Sequence, residues 1–554
     1  MRAARPSRTR SVFTAGLLAV SAGLPVCAAA PVDLVVITPA PAERGPSRWR
    51  LVDESGGAVV ASASSAALAA APVGPGADPL APILERLAGR DLAVARTGPS
   101  GGWLLVRAEP DAARGLLVER GLGLVGRLGT REPLLKFVRP TLGVSGAWEA
   151  AGRGRGSRVG VVEIGAIGQV ADVLRVDQSF GPCSEEQAKH AVQVAGVIGL
   201  VGHNGDTRPY GGIAPRALLL DAGACSNSDA ELIRAMTWAV ERGAHVLNLS
   251  WGAPTAGKYD ALAAAVDDLA WRSGALIVAA AGNDGASVLS PGLAHSVLTV
   301  GATDDNRTGR TDDDHVASFS SWLDPVAGYA KPEVVAPGVD VVTASPGTQA
   351  LSRGSGTSLA APAVAAIAAL AVGKRPELAG HGETLRALLL VAAGQRVDVA
   401  DGERPGARDG EGYVRAKVAA KIARAGRFGW TMLGAAERGL RVQAARVKLA
   451  RGERLRAAIA WSQPGAYHAA GEATMADFDL AASGPDGEPL AESRGIASSW
   501  ELVDFVAPRK GYYELSVHVV RHDAVDATGA TELPTPVGLA WNTVGRSNGP
   551  KPER

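Results

Sequence analysis

Gly354-Ser355-Gly356-Thr357-Ser358-Leu359-Ala360-Ala361-Pro362 opens an alanine-rich run that continues to Leu370. Glycines on either side of Ser355 set a turn, and the run behind them reads as a helix. Ser358 therefore stands exposed at a helix N-terminus, where the positive end of the dipole helps hold an attacking oxygen. A Gly-Thr-Ser turn is also an ordinary helix cap. The sequence on either side decides between these readings.

Upstream, apolar β-branched runs alternate with helical stretches. Residues 158–162 read as a buried strand, 228–242 as an amphipathic helix, 244–249 as a strand, 259–272 as a helix and 275–278 as another strand. Ser228 caps the first of these helices, with Glu231 at the capping-box position. Repeated strand, helix, strand predicts an α/β fold: a parallel sheet with helices on both faces. Ligands in such sheets bind at the carboxyl ends of the strands.

Three segments carry a resemblance. The serine run is similar to the nucleophile motif of the subtilases. Lys189-His190-Ala191-Val192-Gln193-Val194-Ala195-Gly196 resembles that family's histidine helix, keeping the histidine and the trailing Val-Ala-Gly. Ile277-Val278-Ala279-Ala280-Ala281-Gly282-Asn283-Asp284-Gly285 resembles its oxyanion segment. Lesser likenesses are Tyr210 to Pro215 after the histidine helix, Leu247-Asn248-Leu249-Ser250-Trp251-Gly252 as the edge that pairs with substrate, and Lys331 to Gly338 before the nucleophile. The likeness covers about 145–425. It implies a subtilisin-like fold and a serine endopeptidase with Ser358 as nucleophile, His190 as base and Asn283 as oxyanion donor. Substrate would lie along Ser250, Trp251, Gly252, Ala281 and Gly282. Trp251 would narrow a subsite or cap the core.

The acid departs from the family. Where Asp-Thr-Gly or a close variant ends the first strand, this chain has Glu163-Ile164-Gly165. A glutamate can hold the imidazole in one tautomer as an aspartate does, with about 1.5 Å more reach. Asp172 and Asp177 are the alternatives, and neither ends an apolar strand.

The remaining chain sets the context. Arg2, Arg5, Arg8 and Arg10 precede a short apolar stretch and the small residues Cys27-Ala28-Ala29-Ala30, which reads as an export signal over 1–30. Mature protein would then be extracellular or periplasmic, with no transmembrane helix. Val26 is larger than the residue a lipoprotein site places before its cysteine, which counts against a lipid anchor at Cys27. Residues 31–139 form a small α+β region, with strands at 102–107 and 122–128 around a helix at 110–120, that suits a prosegment or a structural appendage. The catalytic domain is read at 140–428. Short alternating runs at 440–449, 455–461, 478–482 and 512–520 predict an antiparallel β-sandwich over 429–546, like that of some long subtilases, and 547–554 a loose tail.

Cys183 and Cys225 are left as a candidate disulfide, or two free thiols. Lys and Arg total 57 against 56 Asp and Glu, so no net field points to nucleic acid. Partners are expected to be protein or peptide substrates, and no cofactor is required. Asp304-Asp305 and Asp312-Asp313-Asp314 meet no known calcium spacing and read as a solvated acidic loop. Asp477 and Asp479 are a second calcium thought. Two other readings stay open: a catalytically silent subtilase fold that binds peptides, and a hydrolase of another class. An esterase elbow needs Gly where Ala360 stands, and places its histidine last. A sedolisin-like protease pairs serine with glutamate but does not call for His190.

Overall fold

The computed structural model describes residues 32–37, 92–96, 103–108, 124–127 and 135–545, the last range without 169–173, 182, 184, 202–210, 309, 324–329, 347–350, 395, 398–407, 466–473 and 524–532. The export signal, Cys27, the helix read at 110–120, Asp172, Tyr210 and the tail lie outside the described residues. The chain divides into two units, Met1–Glu132 and Pro133–Arg554.

In the first unit, β1 (Val32–Ile37), β2 (Leu92–Arg96), β3 (Trp103–Ala108) and β4 (Leu124–Arg127) form an antiparallel sheet in the order β2-β3-β1-β4. The strands expected at 102–107 and 122–128 correspond to β3 and β4. They are not neighbours: β1, which is not among the expected strands, lies between them. Its sequence Val-Asp-Leu-Val-Val-Ile is β-branched enough to pair on both sides.

The second unit is built on an eight-stranded sheet. Its strands are β5 (Arg158–Ile164), β6 (Val176–Ser179), β7 (Leu218–Ala224), β8 (Val246–Leu249), β9 (Leu276–Ala280), β10 (Leu298–Asp304), β11 (His315–Val316) and β12 (Val334–Pro337). The path runs β11-β10-β9-β8-β5-β7-β6, with β12 also on β10. Every pair is parallel except β10 with β11.

Side chains alternate between two apolar layers, as a period of two requires. Val159, Val161, Val246 and Val278 face one cluster with α1 (Leu135–Leu142), α2 (Val144–Ala151), α3 (Glu185–Gly199) and the core helices that follow β12. Val162, Leu247, Leu249 and Ile277 face a second, with α4 (Asp229–Glu241) and α5 (Ala261–Ser273). Ser228 caps α4, accepting the Glu231 N–H at 3.4 Å. The carboxylate of Glu231 does not complete the capping box. It accepts from the Cys225 N–H and the Ser226 hydroxyl instead, because the chain before the helix folds back over it.

After the hairpin β13 (Val341–Ala344) and β14 (Leu351–Gly354), α6 (Thr357–Lys374) runs through the core. It is long and apolar enough to cross a membrane, yet is 83% buried within the protein. Next come α7 (Gly382–Ala392) and α8 (Ala416–Ala425).

Eight further strands form two four-stranded antiparallel sheets. The first contains β15 (Phe428–Leu433), β22 (Thr535–Val544), β17 (Arg454–Trp461) and β20 (Trp500–Val506) in that order. The second contains β16 (Arg441–Leu449), β21 (Gly511–His522), β18 (Ala476–Ser483) and β19 (Pro489–Ser493). Trp461, Phe478, Leu480, Tyr513 and Leu539 share one apolar cluster between them. The first sheet rests on α7, whose buried Arg386 donates to Glu333 at 2.9 Å and to Ser499 Oγ on the sheet side at 2.7 Å. Lys331 Nζ donates to the same carboxylate oxygen at 2.7 Å. Burial lowers its pKa to about 8.

Candidate active site

Four strand or helix ends meet at the carboxyl edge of the parallel sheet. Glu163 is the last but one residue of β5 and is 1% exposed. His190 lies in the second turn of α3 and is half-buried. Its Nδ1–H donates to Glu163 Oε2 at 2.8 Å, and its Nε2 lies 3.0 Å from Ser358 Oγ. The charge of Glu163 is the main reason the His190 pKa is raised, with desolvation opposing it. An imidazole bonded this way keeps its proton on Nδ1 and leaves Nε2 free to take one from the serine. Asp177, the described alternative acid, instead pairs with Arg158 at 3.6 Å.

Ser358 is the second residue of α6. Gly356 precedes it because nothing larger fits: a β-carbon there would lie 2.9 Å from Ser358 Oγ and 3.2 Å from Asn283 Nδ2. Those two groups thus flank one small space. Asn283 follows β9 on a turn held by Gly285 N–H to Phe319 O, 2.8 Å, and Ser321 N–H to Gly282 O, 3.1 Å. Its amide orientation is set by Thr357, whose N–H donates to Asn283 Oδ1 at 2.8 Å and whose hydroxyl lies 2.9 Å from the same oxygen. Both donors face the carbonyl side, so Nδ2 is turned toward the space beside Ser358.

Thr357 has a further bond that the motif does not announce, accepting Gly282 N–H at 3.1 Å. Ser250 is tied to Ser358 by backbone chemistry. Pro362 has no N–H, so the Ser358 carbonyl one turn earlier lacks its helical partner. Ser250 Oγ–H donates to that carbonyl at 2.8 Å, and Asn248 Nδ2 donates to Ser250 Oγ at 2.8 Å. Trp251 is anchored by its Nε1–H to Val162 O at 3.0 Å and packs on the α4–α5 layer. Ala281 is buried, and Gly252 and Gly282 line the same end of the sheet.

Asp221 on β7 carries no role in the sequence reading. It is 1% exposed and accepts the N–H groups of Ile167, at 2.9 Å, and Gly168, at 3.3 Å, on the loop leaving Glu163. A lone acid inside Leu-Leu-Leu-Asp-Ala-Gly-Ala is the signal that could have found it. Cys183, just before α3, is bonded to Cys225 at the end of β7.

The acidic loop departs from expectation. Asp312 and Asp313 are exposed, but Asp305 is 1% and Asp314 5% exposed, and burial pushes both carboxyls up to about 6. Folding the 304–314 segment against β10 and Tyr413 takes these two out of water. Asp477 and Asp479 are also buried, and Asp479 lies 3.6 Å from His518 Nδ1. Among the described residues, no three His, Cys, Asp or Glu side chains are gathered as metal ligands.

A profile of the subtilase family matches residues 178–423, beginning downstream of Glu163. The chain is 34% identical over 222 residues to serine protease AprX of Bacillus subtilis (strain 168), covering 34% of this chain and 49% of that one. It is 35% identical over 231 residues to M-protease of Shouchella clausii (strain KSM-K16), covering 40% of this chain and 56% of that one. With subtilisin DY of Bacillus licheniformis it shares 32% over 239 residues, 41% of this chain and 80% of that one. The chain thus spans about half the length of AprX and M-protease, and most of subtilisin DY. With the parallel sheet and the serine–histidine pair at its carboxyl edge, these matches make the chain a member of the subtilase family.

Proposed function

We propose that the protein is an exported serine endopeptidase that cleaves peptide bonds through an acyl-enzyme. The observation that carries the reading is that both His190 nitrogens are engaged at once, by Glu163 at 2.8 Å and Ser358 at 3.0 Å. Ser358 Oγ attacks the scissile carbonyl carbon as its proton passes to His190 Nε2. The imidazolium so formed is stabilised by Glu163, and the oxyanion by Asn283 Nδ2 and the Ser358 N–H. His190 then gives the proton to the leaving amine as the C–N bond breaks. Water, deprotonated in turn by His190, releases the acyl group. No step calls for a cofactor.

Export rests on the arginine-flanked apolar segment at 1–30 and on a cysteine pair suited to an oxidising compartment. Substrates are polypeptides laid as an extended strand beside 250–252. Residues 31–139 are proposed as a prosegment, and the two C-terminal sheets as a domain of their own packed on α7.

The test is labelling with a fluorophosphonate, located by mass spectrometry, in the parent and in Ser358→Ala. Label on Ser358, abolished by the substitution, is expected. Folded protein that takes no label after removal of any prosegment would leave a silent peptide-binding fold as the better account.

A further inference from the structure

Between the ends of β8 and β9 there is a slot, and it is filled. The two strands are hydrogen-bonded neighbours up to the pair Leu249–Ala279. Beyond that their extensions splay apart. Trp251 is drawn toward β5 by its bond to Val162 O, and the Ala281 N–H turns to Val300 O on β10 at 3.1 Å. Glycines on both walls, Gly252 and Gly282, leave the gap without side chains of its own.

Leu289 occupies it. A β-carbon on Gly282 would lie 2.7 Å from Leu289 Cγ, and one on Gly252 would lie 2.9 Å from Leu289 Cβ. The leucine is clamped from both walls. Its N–H donates to Ala281 O at 2.9 Å, and the next residue, Ser290, exchanges two backbone bonds with Ala253, at 2.8 and 3.0 Å. It is only partly buried, so one side faces the open end of the slot.

This inference rests on the proposed peptidase reading. In that reaction the leaving amine must stay on the His190 side to receive its proton, and the oxyanion points at Asn283. The acyl residue is left the side bordered by Ser250–Gly252 and by Ala281–Gly282. Its side chain therefore enters between Gly252 and Gly282. We propose that Leu289 is a specificity-determining residue that closes this slot and restricts the residue before the cut to Gly, Ala or Ser. Branched aliphatic, aromatic and long basic side chains would have to displace a leucine held by backbone on both sides.

The experiment compares kcat/KM on peptide p-nitroanilides that differ only in the last residue (Ala, Leu, Phe or Lys), for the parent, Leu289→Ala and Leu289→Gly. Active sites are counted by fluorophosphonate labelling. Pocket contacts of a methylene or more are worth roughly 10–200-fold in discrimination. The parent is expected to favour Ala over Phe by at least ~100-fold, and the Phe-to-Ala ratio to rise by at least ~10-fold in Leu289→Gly, with Leu289→Ala between. A parent that labels at Ser358 but cleaves after Phe or Leu as readily as after Ala overturns the inference and leaves the peptidase reading intact. So does a labelled Leu289 variant with an unchanged ratio. A parent that neither labels nor cleaves overturns both. Should both variants fail to fold, the parent's own preference still decides.

Discussion

Replacing Glu163 by aspartate, the acid of the family motif, should damage this chain. The carboxylate reaches His190 Nδ1 at 2.8 Å. Removing one methylene withdraws it by about 1.5 Å, which opens the gap to about 4 Å, past the range in which a hydrogen bond holds. The backbone cannot advance to close it. β5 is paired on both sides, Glu163 opposite Gly223 on β7 and Val162 opposite Leu249 on β8, and the next turn is fixed by Gly165 N–H to Ala224 O at 2.7 Å. α3 is pinned as well, since a β-carbon on Gly196 would already lie 2.7 Å from the Ala344 nitrogen.

Glu163→Asp would therefore bury a carboxylate without its partner and free the imidazole to change tautomer. Loss of the acid in such triads costs up to ~10⁴ in turnover. The expected result is a kcat lower by roughly 10²–10⁴ with KM little changed, normalised to fluorophosphonate-titrated sites on an Ala-ended p-nitroanilide. A kcat within about threefold of the parent would show that the site closes around the shorter acid, and the argument from reach would be wrong.

Glu163→Gln tests the electrostatics. The Glu163 charge raises the His190 pKa, and the base works only when neutral, so the parent's kcat/KM is lost as pH falls through that raised value. Without the charge, the acid limb should move to lower pH, and a limb that stays put contradicts the assignment. Thr357→Val removes the hydroxyl that steadies Asn283 and should cost about tenfold in kcat with little effect on KM, less than the ~10²–10³ of losing the amide itself in Asn283→Ala. Equal losses in the two variants would mean Thr357 does more than orient. Cys183→Ser with Cys225→Ser opens a loop of 42 residues and should lower urea-unfolding stability by about 3–4 kcal/mol; an unchanged midpoint would refute that contribution. Gly223→Ala should lower kcat by at least ~10-fold, because the added carbon would lie 2.6 Å from Gly165 O and push the loop that follows Glu163; parent-like kinetics would show that this loop can give way.

Residues at the ends of apolar runs were legible in the sequence, and those that act through backbone atoms were not. Glu163 closes an apolar run, Asn283 follows one and Ser358 opens one, and the burial of those runs fixes where the chain must turn, so their meeting at one sheet edge follows from the α/β pattern. Asp221 sits in an equally apolar strand, but its partners are N–H groups of a loop, which no residue type announces. β6, Val-Asp-Gln-Ser, escaped notice because an exposed edge strand needs no alternation. The acidic loop misled in the opposite sense. Its composition says water, yet Asp305 and Asp314 are carried inside by β10 and β11, between which the segment is strung.

The change of acid is best understood from β7. Asp221 and Gly223 are two apart and so share one face of that strand, and Cys225 is the first residue beyond its end. Gly223 stands opposite Glu163 in the register, and its missing side chain lets the 165–166 turn cross close against β7. Asp221 holds the far side of that turn through Ile167 and Gly168. Cys225 is bonded to Cys183, on the segment that enters the histidine helix. β7 and the residue just beyond it thus fix both the exit from Glu163 and the entry to the helix that carries His190. The reach a carboxylate must span is set by the separation of those two elements, and here that separation matches the longer side chain. Glutamate at 163 is then a consequence of how β7 spaces its neighbours, and shortening the acid without moving β7 leaves the imidazole unpaired.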